Sequence, residues 1–264
     1  YHRVLREKLG KLAAFLQCEA PGALAFPFVD TGPLVERALA YRAGLGVWGE
    51  NGFVLRPQLS SAFFVGGLAT NIDLVSDLPT KGSCLQCGRW RNACPTNALD
   101  TSYRLDYRRC LSYWTQTKEN IPPEIRPFLG NRLYGCDSCL RACPLIEKSP
   151  LDGVTVDLST FLTLSNREFK QQYGSSSAAW RGRTVLQRNA ALALGNSSRK
   201  EAIPILIPLL TDPRIPLRIA AAWSLGQYGG SESRSALAKC LQQETDPGVR
   251  GEIKIALSES PRKW

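Results

Sequence analysis

Cysteine is the residue type in this chain whose spacing could carry chemistry. Seven of the nine cysteines fall between Cys84 and Cys143, while Cys18 and Cys240 lie far outside that segment. A compact disulfide scaffold would be shorter and would not leave long cysteine-free flanks. Clustered Cys-x-x-Cys pairs without a secretion signal therefore predict a metal-bound site in a reducing compartment. Cys18 and Cys240 are predicted to be inert buried thiols on apolar helix faces.

Two cysteine groups, CLQCGRWRNACP and CDSCLRACP, share an Ala-Cys-Pro ending. The bacterial ferredoxin run is C-x2-C-x2-C-x3-C-P, and its fourth cysteine serves the other cluster. Two residues between cysteines let one tight loop present two thiolates to a cubane, while backbone N–H groups offset the cluster's negative charge. The spacing therefore predicts a ferredoxin-type iron–sulfur module.

The crossover pattern divides the cysteines between two clusters. One complete four-thiolate site is predicted from Cys94, Cys110, Cys136 and Cys139. A second site is left with Cys84, Cys87 and Cys143. It lacks one ligand because Trp90 stands where the run has its third cysteine. This second site could hold a three-iron cluster, a cluster with a non-cysteine ligand, or nothing, and a sequence error at Trp90 is a further explanation.

Zinc is the alternative metal. Two Cys-x-x-Cys pairs could form a tetrahedral site of four thiolates. Zinc does not explain the two Cys-Pro endings or the remaining cysteines, so the iron–sulfur interpretation is favoured.

Three zones position these residues and predict an α+β chain. Residues 1–79 indicate a helix at YHRVLREKLGKLAAFLQ, a strand at LAFPFVDTG, a helix from Pro33 to Gly44 and a buried strand at SAFFVGGLAT. These elements are a fragment of a sheet domain. Residues 80–150 have few long apolar periods, so a bound inorganic cluster would be the nucleus of that zone.

Residues 151–264 are helical and repetitive. RNAALALGN (188–196) recurs as RIAAAWSLGQ (218–227) and weakly as RGEIKIALSE (250–259). Intervals of about thirty residues are typical of helix-pair repeats, in which each repeat buries its apolar face on its neighbours. The segments EAIPILIPLL and SRSALAKCLQQ supply the intervening helices.

Charge favours a polyanionic partner. The chain of 264 residues has a formal net charge of +10 and a sequence pI near 9.3. A basic surface suits nucleic acid or an anionic membrane, and no spanning segment or amphipathic anchor stands out.

The chain begins with Tyr1 and contains no Met, which we interpret as the absence of its natural start.

The chain resembles the epoxyqueuosine reductases, iron–sulfur and cobalamin enzymes that complete queuosine in the tRNA anticodon loop. The resemblance is carried by VDTGPLVERALAYRAGLGVWGENG, both cysteine groups, DYRRCLSYWT, RPFLGNRLYGCDSC and WRGRTVLQRNAALALGN, in the family's order. It implies part of a cobalamin-binding α/β domain at 1–79, a ferredoxin-like iron–sulfur domain at 80–150 and HEAT-like repeats at 151–264. An N-terminal portion of the cobalamin-binding domain would be missing. A cytoplasmic monomer is implied, reduced by an electron donor such as a flavodoxin or ferredoxin.

The resemblance also implies a mechanism. Electrons would pass from the clusters to base-off cobalamin and then to the epoxide, and the protein would position and tune these cofactors. Asp30, in VDTGP, would be the proton donor, since a carboxylic acid in a shielded pocket can hold a raised pKa. A turn-forming Asp is the simpler interpretation of the same segment. His2 is expected to have a structural hydrogen-bonding role.

Cobalamin contacts are expected from small, polar and flat groups, although ordinary turn chemistry would explain them too. They are Gly49, Asn51, Ser61, Phe63 and Ser112. Two further positions depart from the family pattern. Glu50 replaces the Lys of GKN, and Thr117 replaces the Glu that follows LSYxTx.

RNA loops are gripped through phosphates and through aromatic or Arg stacking, so basic residues are the candidate tRNA contacts. They are Lys118, Arg126, Arg132, Arg181, Arg183 and Arg188, with Arg214 and Arg218 on the repeats. Each could instead be a solvated surface charge. The rival functions are a ferredoxin-like electron-transfer protein and a degenerate tRNA-binding homologue without redox activity.

Overall fold

A computed structural model describes residues 1–56, 62–146 and 153–259. In chain order the helices are α1 (His2–Glu19), α2 (Glu36–Arg42), α3 (Arg89–Asn92), α4 (Leu111–Gln116), α5 (Arg126–Leu129), α6 (Ser138–Arg141), α7 (Leu158–Thr163), α8 (Asn166–Tyr173), α9 (Arg183–Gly195), α10 (Ile203–Leu206), α11 (Ile215–Tyr228), α12 (Gly230–Gln243) and α13 (Pro247–Ser258). The strands are β1 (Ala25–Phe28), β2 (Val47–Trp48), β3 (Val54–Leu55) and β4 (Gly67–Thr70). The α+β class is as predicted. Among the helices of these residues, none is both long and apolar enough to cross a bilayer.

Two compact units make up the chain. The first contains Tyr1–Leu105 and Ser138–Asp152, and the second contains Asp106–Asp137 and Gly153–Trp264. The predicted boundaries near residues 80 and 150 do not coincide with these units. The first two predicted zones share a unit, and the middle of the predicted cluster domain belongs to the helical unit.

The first unit contains two short two-stranded sheets. Strand β1 pairs antiparallel with β4, with Phe28 opposite Gly67, and β2 pairs antiparallel with β3. The predicted strand at SAFFVGGLAT is regular only over β4, so Phe63 precedes it. A side chain at Gly67 would force the Phe28 ring to move, because its Cβ would lie 2.8 Å from a Phe28 ring carbon.

The predicted helices of the first unit have the expected type but not always the expected start. Helix α1 matches its prediction. Helix α2 begins at Glu36 after the N-cap Val35, so Pro33 lies in the preceding turn rather than in the first helical turn. The proline still sets the backbone before the helix, because its φ is fixed.

The second unit stacks the predicted repeats. Helices α9, α11 and α13 carry the three recurring segments, and α12 lies between the last two. The intervening segment EAIPILIPLL forms α10 with 3₁₀ turns on either side, Lys200–Ala202 and Ile207–Thr211. Pro204 and Pro208 explain this irregularity, since each removes a backbone donor from the helix.

Two glycines bring the recurring helices into close contact. A Cβ at Gly195 would lie 2.5 Å from Cβ of Ser224, and one at Gly226 would lie 2.8 Å from Cβ of Ala256. Carbon atoms do not approach that closely, so both positions require glycine.

The segment Asp106–Asp137 packs into the helical unit. Its apolar side chains share one buried core with the repeats; they are Leu111, Trp114, Ile121, Ile125 and Leu129. Asn189 of α9 also donates hydrogen bonds to the carbonyls of Thr115 and Leu133, both at 2.7 Å. Burial and these bonds place the segment with the repeats, although its cysteines predicted a cluster domain.

Candidate functional site

The loop from Cys84 to Gly88 has the backbone expected of a cluster-binding turn. Gln86 and Gly88 both adopt left-handed conformations, with φ of 52° and 65°, and α3 follows directly. A non-glycine residue at positive φ is uncommon and is often found at functional sites. Alternating left-handed and right-handed residues turn successive N–H groups into an anion-binding concavity.

Three cysteines and the tip of the β2–β3 hairpin line one pocket in the first unit. Its lining residues are Glu50, Asn51, Leu55, Cys84, Leu85, Cys87, Trp90, Cys143, Pro144 and Leu145. The three cysteines left over for the second cluster are therefore brought together. Asn51, a predicted cobalamin contact, lies in the same pocket, next to Glu50.

The pocket makes the Cys143 thiol harder to ionise. Burial raises the pKa of the Cys143 thiol, a hydrogen bond from the Leu145 backbone opposes that shift, and the neighbouring Cys87 and Cys84 raise the pKa further. Thiolates are the ligands of iron, and three thiolates within electrostatic reach repel one another. A cationic iron core at their centre would relieve that repulsion, so this donor set fits a cluster.

Trp90 lines the pocket, but its side chain cannot supply the missing cluster ligand. The side chain is 4% exposed, and its indole N–H has no hydrogen-bond acceptor among the described residues. The indole nitrogen is only a donor. Leaving a buried donor unpaired costs about 1–3 kcal/mol, so the arrangement favours an occupant that carries acceptors.

The other four cysteines are divided between the units. Cys94 accepts a hydrogen bond from the Ala98 N–H at 3.2 Å, the kind of N–H···S contact that stabilises a thiolate. Cys139 lies in α6 of the first unit, whereas Cys110 precedes α4 and Cys136 packs against the core of the second unit. Their grouping in one four-thiolate site therefore remains a prediction. Within residues 1–56, 62–146 and 153–259, no three His, Cys, Asp or Glu side chains are placed to hold a single metal ion.

The two outlying cysteines differ from each other. Cys240 is partly buried, donates to the Leu210 carbonyl at 3.5 Å and has a pKa raised by burial. Cys18 is exposed, so the prediction of a buried thiol was wrong for it. The reason is that α1 buries only Ala13 among its residues.

Asp30 lies in an unusual backbone position but not in a shielded pocket. Its φ is 55°, and its side chain is 57% exposed. The Tyr1 hydroxyl donates a hydrogen bond to Asp30 Oδ2, and His2 Nε2 lies 3.1 Å from the same oxygen. The Tyr1 hydrogen bond lowers the pKa of Asp30, the slight burial raises it, and His2 lowers it further. The expected raised pKa is therefore wrong for this structure, because two donors stabilise the carboxylate.

The predicted cobalamin contacts fall in different places. Asn51 is buried, and its side-chain oxygen accepts from the Phe53 N–H at 3.2 Å. Gly49 is held at the hairpin tip, where its N–H donates to the Phe53 carbonyl at 2.8 Å. Phe63 is half-buried in the first unit, and Ser112 lies in α4 of the second. Ser61 lies outside the described residues.

Two of the predicted tRNA contacts are structural. Arg126 is 4% exposed, forms an ion pair with Glu252 at 2.7 Å and donates to the Ile121 carbonyl at 2.8 Å. Arg188 is 3% exposed and donates to the carbonyls of Trp114, Thr117 and Glu119. Burial lowers the pKa of Arg188 to about 10, with a smaller contribution from the charge of Arg126. Neither guanidinium can reach a phosphate, so both predictions were wrong.

The remaining basic candidates are less buried than Arg126 and Arg188. Arg214 pairs with Asp212 and Arg218 pairs with Glu244, which reduces the charge each can offer. Arg183 donates to the Leu164 carbonyl, and Arg132 donates to the Leu129 carbonyl at 3.2 Å. Lys118 is exposed just beyond α4.

Arg181, a predicted tRNA contact, stacks on Trp180, which the sequence did not single out. Trp180 is 61% exposed, and the Arg181 guanidinium lies 3.6 Å from the centre of its ring. The indole N–H donates to the Tyr134 hydroxyl at 2.9 Å, which fixes the ring. An exposed, oriented tryptophan beside an arginine is a platform on which a base can stack. The WR dipeptide was the available signal. The role of Tyr1 had no signal in the sequence.

Two family models and a set of related proteins match this chain. Residues 83–145 match the family model of a 4Fe-4S double cluster binding domain, and residues 181–258 match HEAT repeats. An epoxyqueuosine reductase from Bacillus anthracis is 40% identical over 269 residues, which cover 97% of this chain and 70% of the relative.

Two solved structures are similar over 97% of this chain and 71% of theirs, both at 38% identity. One is an epoxyqueuosine reductase with an epoxyqueuosine-modified tRNA-Tyr stem loop, at a TM-score of 0.91. The other is the Bacillus subtilis enzyme with an aspartate-bearing catalytic loop swung out of the active site, at a TM-score of 0.90. The double-cluster match includes all three cysteines of the pocket and favours iron–sulfur over zinc.

Proposed function

This chain belongs to the epoxyqueuosine reductase family, and we propose that it reduces epoxyqueuosine to queuosine in the anticodon loop of tRNA. The observation that carries the proposal is the pocket in which Cys84, Cys87 and Cys143 meet the β2–β3 hairpin. Three converging thiols beside a buried Asn51 give a cluster site in contact with residues that suit a second cofactor. Neither rival function explains that combination, and the family match does not favour them.

Cysteine thiolates would hold the iron–sulfur clusters. Cys84, Cys87 and Cys143 would serve one cluster, and Cys94, Cys110, Cys136 and Cys139 the other. The N–H groups of the Cys84–Gly88 loop would stabilise the reduced, more negative state. A flavodoxin or ferredoxin would be a suitable donor, and a reducing cytoplasm would keep the cysteines as thiols.

Residues 1–79 would contribute to cobalamin binding. Asn51 uses its carboxamide oxygen to accept from Phe53, so its amino group can donate to a corrin amide. Phe63 would add flat apolar contact. Cobalamin, when bound, supplies the electrons that open the epoxide. Gly49 keeps the hairpin tight, because a Cβ there would lie 2.7 Å from Asn51 Oδ1.

Protons would be delivered by the group around Asp30. Reducing an epoxide to an alkene needs an electron pair and protons, and the oxygen leaves as water. With a lowered pKa, Asp30 is a carboxylate at neutral pH and cannot donate by itself. It orients the Tyr1 hydroxyl and the His2 ring, which both carry a transferable proton. A shielded environment in the complex would raise the Asp30 pKa and turn it into a donor.

The tRNA loop would be bound by a smaller set of residues than the sequence predicted. Lys118 offers an exposed cation for a phosphate, and the Trp180–Arg181 pair offers a stacking face. The substrate base must leave its stack to reach a buried cofactor. We propose that the protein acts on it as a monomer.

The test is single-turnover reduction of an epoxyqueuosine-containing tRNA stem loop. Protein reconstituted with iron, sulfide and cobalamin is reduced with dithionite, and the released nucleosides are identified by mass spectrometry. Cys84→Ser should abolish product, whereas Cys18→Ser is the matched control and should not. Absence of queuosine with both cofactors loaded would sink the proposal.

A further inference from the structure

We propose that the Glu50 carboxylate is the fourth ligand of the cluster held by Cys84, Cys87 and Cys143, where it replaces the thiolate missing at Trp90. The inference rests on the iron–sulfur part of the proposed function but not on the tRNA reaction. Glu50 would then be a cofactor ligand that the cysteine pattern does not reveal.

Position 90 cannot supply the missing ligand. The ferredoxin spacing requires a third cysteine there, and the indole of Trp90 offers a donor hydrogen but no lone pair for iron. Trp90 is buried against the same pocket as the three thiols. One corner of a four-iron cluster in this pocket therefore needs a ligand from another part of the chain.

Glu50 is the acidic side chain of that pocket, and its backbone is firmly held. It sits between β2 and β3 at the tip of the hairpin, where the Gly52 N–H donates to the Gly49 carbonyl at 2.9 Å. Its own carbonyl accepts from the Tyr103 N–H at 2.8 Å. Within the described part of the chain, the carboxylate itself forms no hydrogen bond or ion pair. The backbone of Glu50 is therefore held in place, while its carboxylate is available to bind iron.

Electrostatic repulsion favours coordination of the iron by Glu50 over a carboxylate that merely lies near the cluster. A carboxylate beside three cysteines that become thiolates would be repelled unless a cation lay between them. Bound to iron, a carboxylate carries the same charge as the thiolate it replaces, so the cluster keeps its net charge. Carboxylate oxygen is also an accepted ligand of iron in proteins.

Two independent features of the pocket support an occupant of this kind. Glu50 and Trp90 line this one pocket, so a carboxylate and the position of the missing thiolate border the same space. The unpaired Trp90 N–H needs an acceptor, and a cluster sulfide or thiolate would provide it.

The experiment compares iron content, EPR and ⁵⁷Fe Mössbauer spectra of the anaerobically reconstituted protein and its variants. The variants are Glu50→Ala, Glu50→Gln, Trp90→Cys and the double variant of Glu50→Ala with Trp90→Cys. Glu19→Ala, which removes an exposed acid on α1, is the matched control. Far-UV circular dichroism checks that each variant is folded.

The wild type should bind about eight irons, with one iron of one cluster distinguished by an oxygen ligand in the Mössbauer spectrum. Glu50→Ala should lose about one iron and show the EPR signal of an oxidised three-iron cluster. In the Trp90→Cys background the same change should cost no iron, because the thiolate is restored. Glu50→Gln should fall between wild type and Glu50→Ala, and Glu19→Ala should match wild type.

The inference would be overturned if Glu50→Ala left the iron count and spectra unchanged. It would also fall if the wild type already contained a three-iron cluster or only about four irons. A three-iron cluster or a different fourth ligand would leave the proposed function standing if the single-turnover assay still gave product. Only about four irons would mean that the pocket cluster is absent, and product should then be lost as in Cys84→Ser. A wild type without any bound iron would instead remove the proposed function as well.

Discussion

The buried ion pair between Arg126 and Glu252 allows a sharp test of the helical unit. Their side chains are only 5% and 10% exposed, and Nη1 and Oε1 are 2.7 Å apart. Removing one partner strands the other charge in the core, which typically costs about 3–5 kcal/mol. Glu252→Leu should therefore lower the free energy of unfolding by that amount. For a chain of this size, the thermal midpoint should fall by roughly 6–20 °C.

The double variant of Arg126→Met with Glu252→Leu isolates the pair. It should regain most of the loss and remain about 1 kcal/mol short, because the Ile121 carbonyl loses its donor. Thermal and urea unfolding followed by circular dichroism would measure these differences. A Glu252→Leu cost below about 1 kcal/mol, or a double variant worse than either single one, would contradict the buried-pair argument. At a temperature where all are folded, the variants should bind the tRNA stem loop as wild type does.

Four further predictions follow from the same structure. Gly195→Ala should destabilise the repeats by about 1–3 kcal/mol through overpacking, and an unchanged thermal midpoint would show that the helices can separate. Tyr1→Phe should raise the pKa of Asp30, because it removes the main cause of the lowering. The stability lost on acidification through that pKa should shrink, and a carboxyl NMR titration would detect both the shift and its absence. Trp180→Ala should weaken stem-loop binding about 5- to 150-fold by loss of stacking. Arg188→Lys should leave the Kd unchanged while lowering the thermal midpoint, and the opposite pattern would restore Arg188 as an RNA contact.

Spacing predicted the parts of this molecule in which local chemistry dictates structure. The three thiols of the pocket followed from two-residue intervals and the Cys-Pro endings. The repeat helices followed from apolar segments recurring about every thirty residues. In both cases the important residues recur at regular intervals, so their spacing along the sequence is enough to predict the structure.

Spacing failed where packing decides the role of a residue. Arg126 and Arg188 read as surface cations, yet both lie in the core because backbone carbonyls and Glu252 satisfy them. A sequence does not reveal which cations will find such partners. The same limit applies to Asp30, whose two hydrogen-bond donors come from the start of α1.

The glycines between the recurring helices have an evolutionary consequence. Gly195 and Gly226 are about thirty residues apart, and each lets its helix touch the next almost backbone to backbone. The absence of a side chain at these glycines thus sets the distance between successive helix layers. The larger core residues must fit within that distance. A duplicated repeat could join this stack only if it carried a glycine at the equivalent position. Lineages that lengthen or shorten the array should therefore keep this glycine while the outward-facing residues drift.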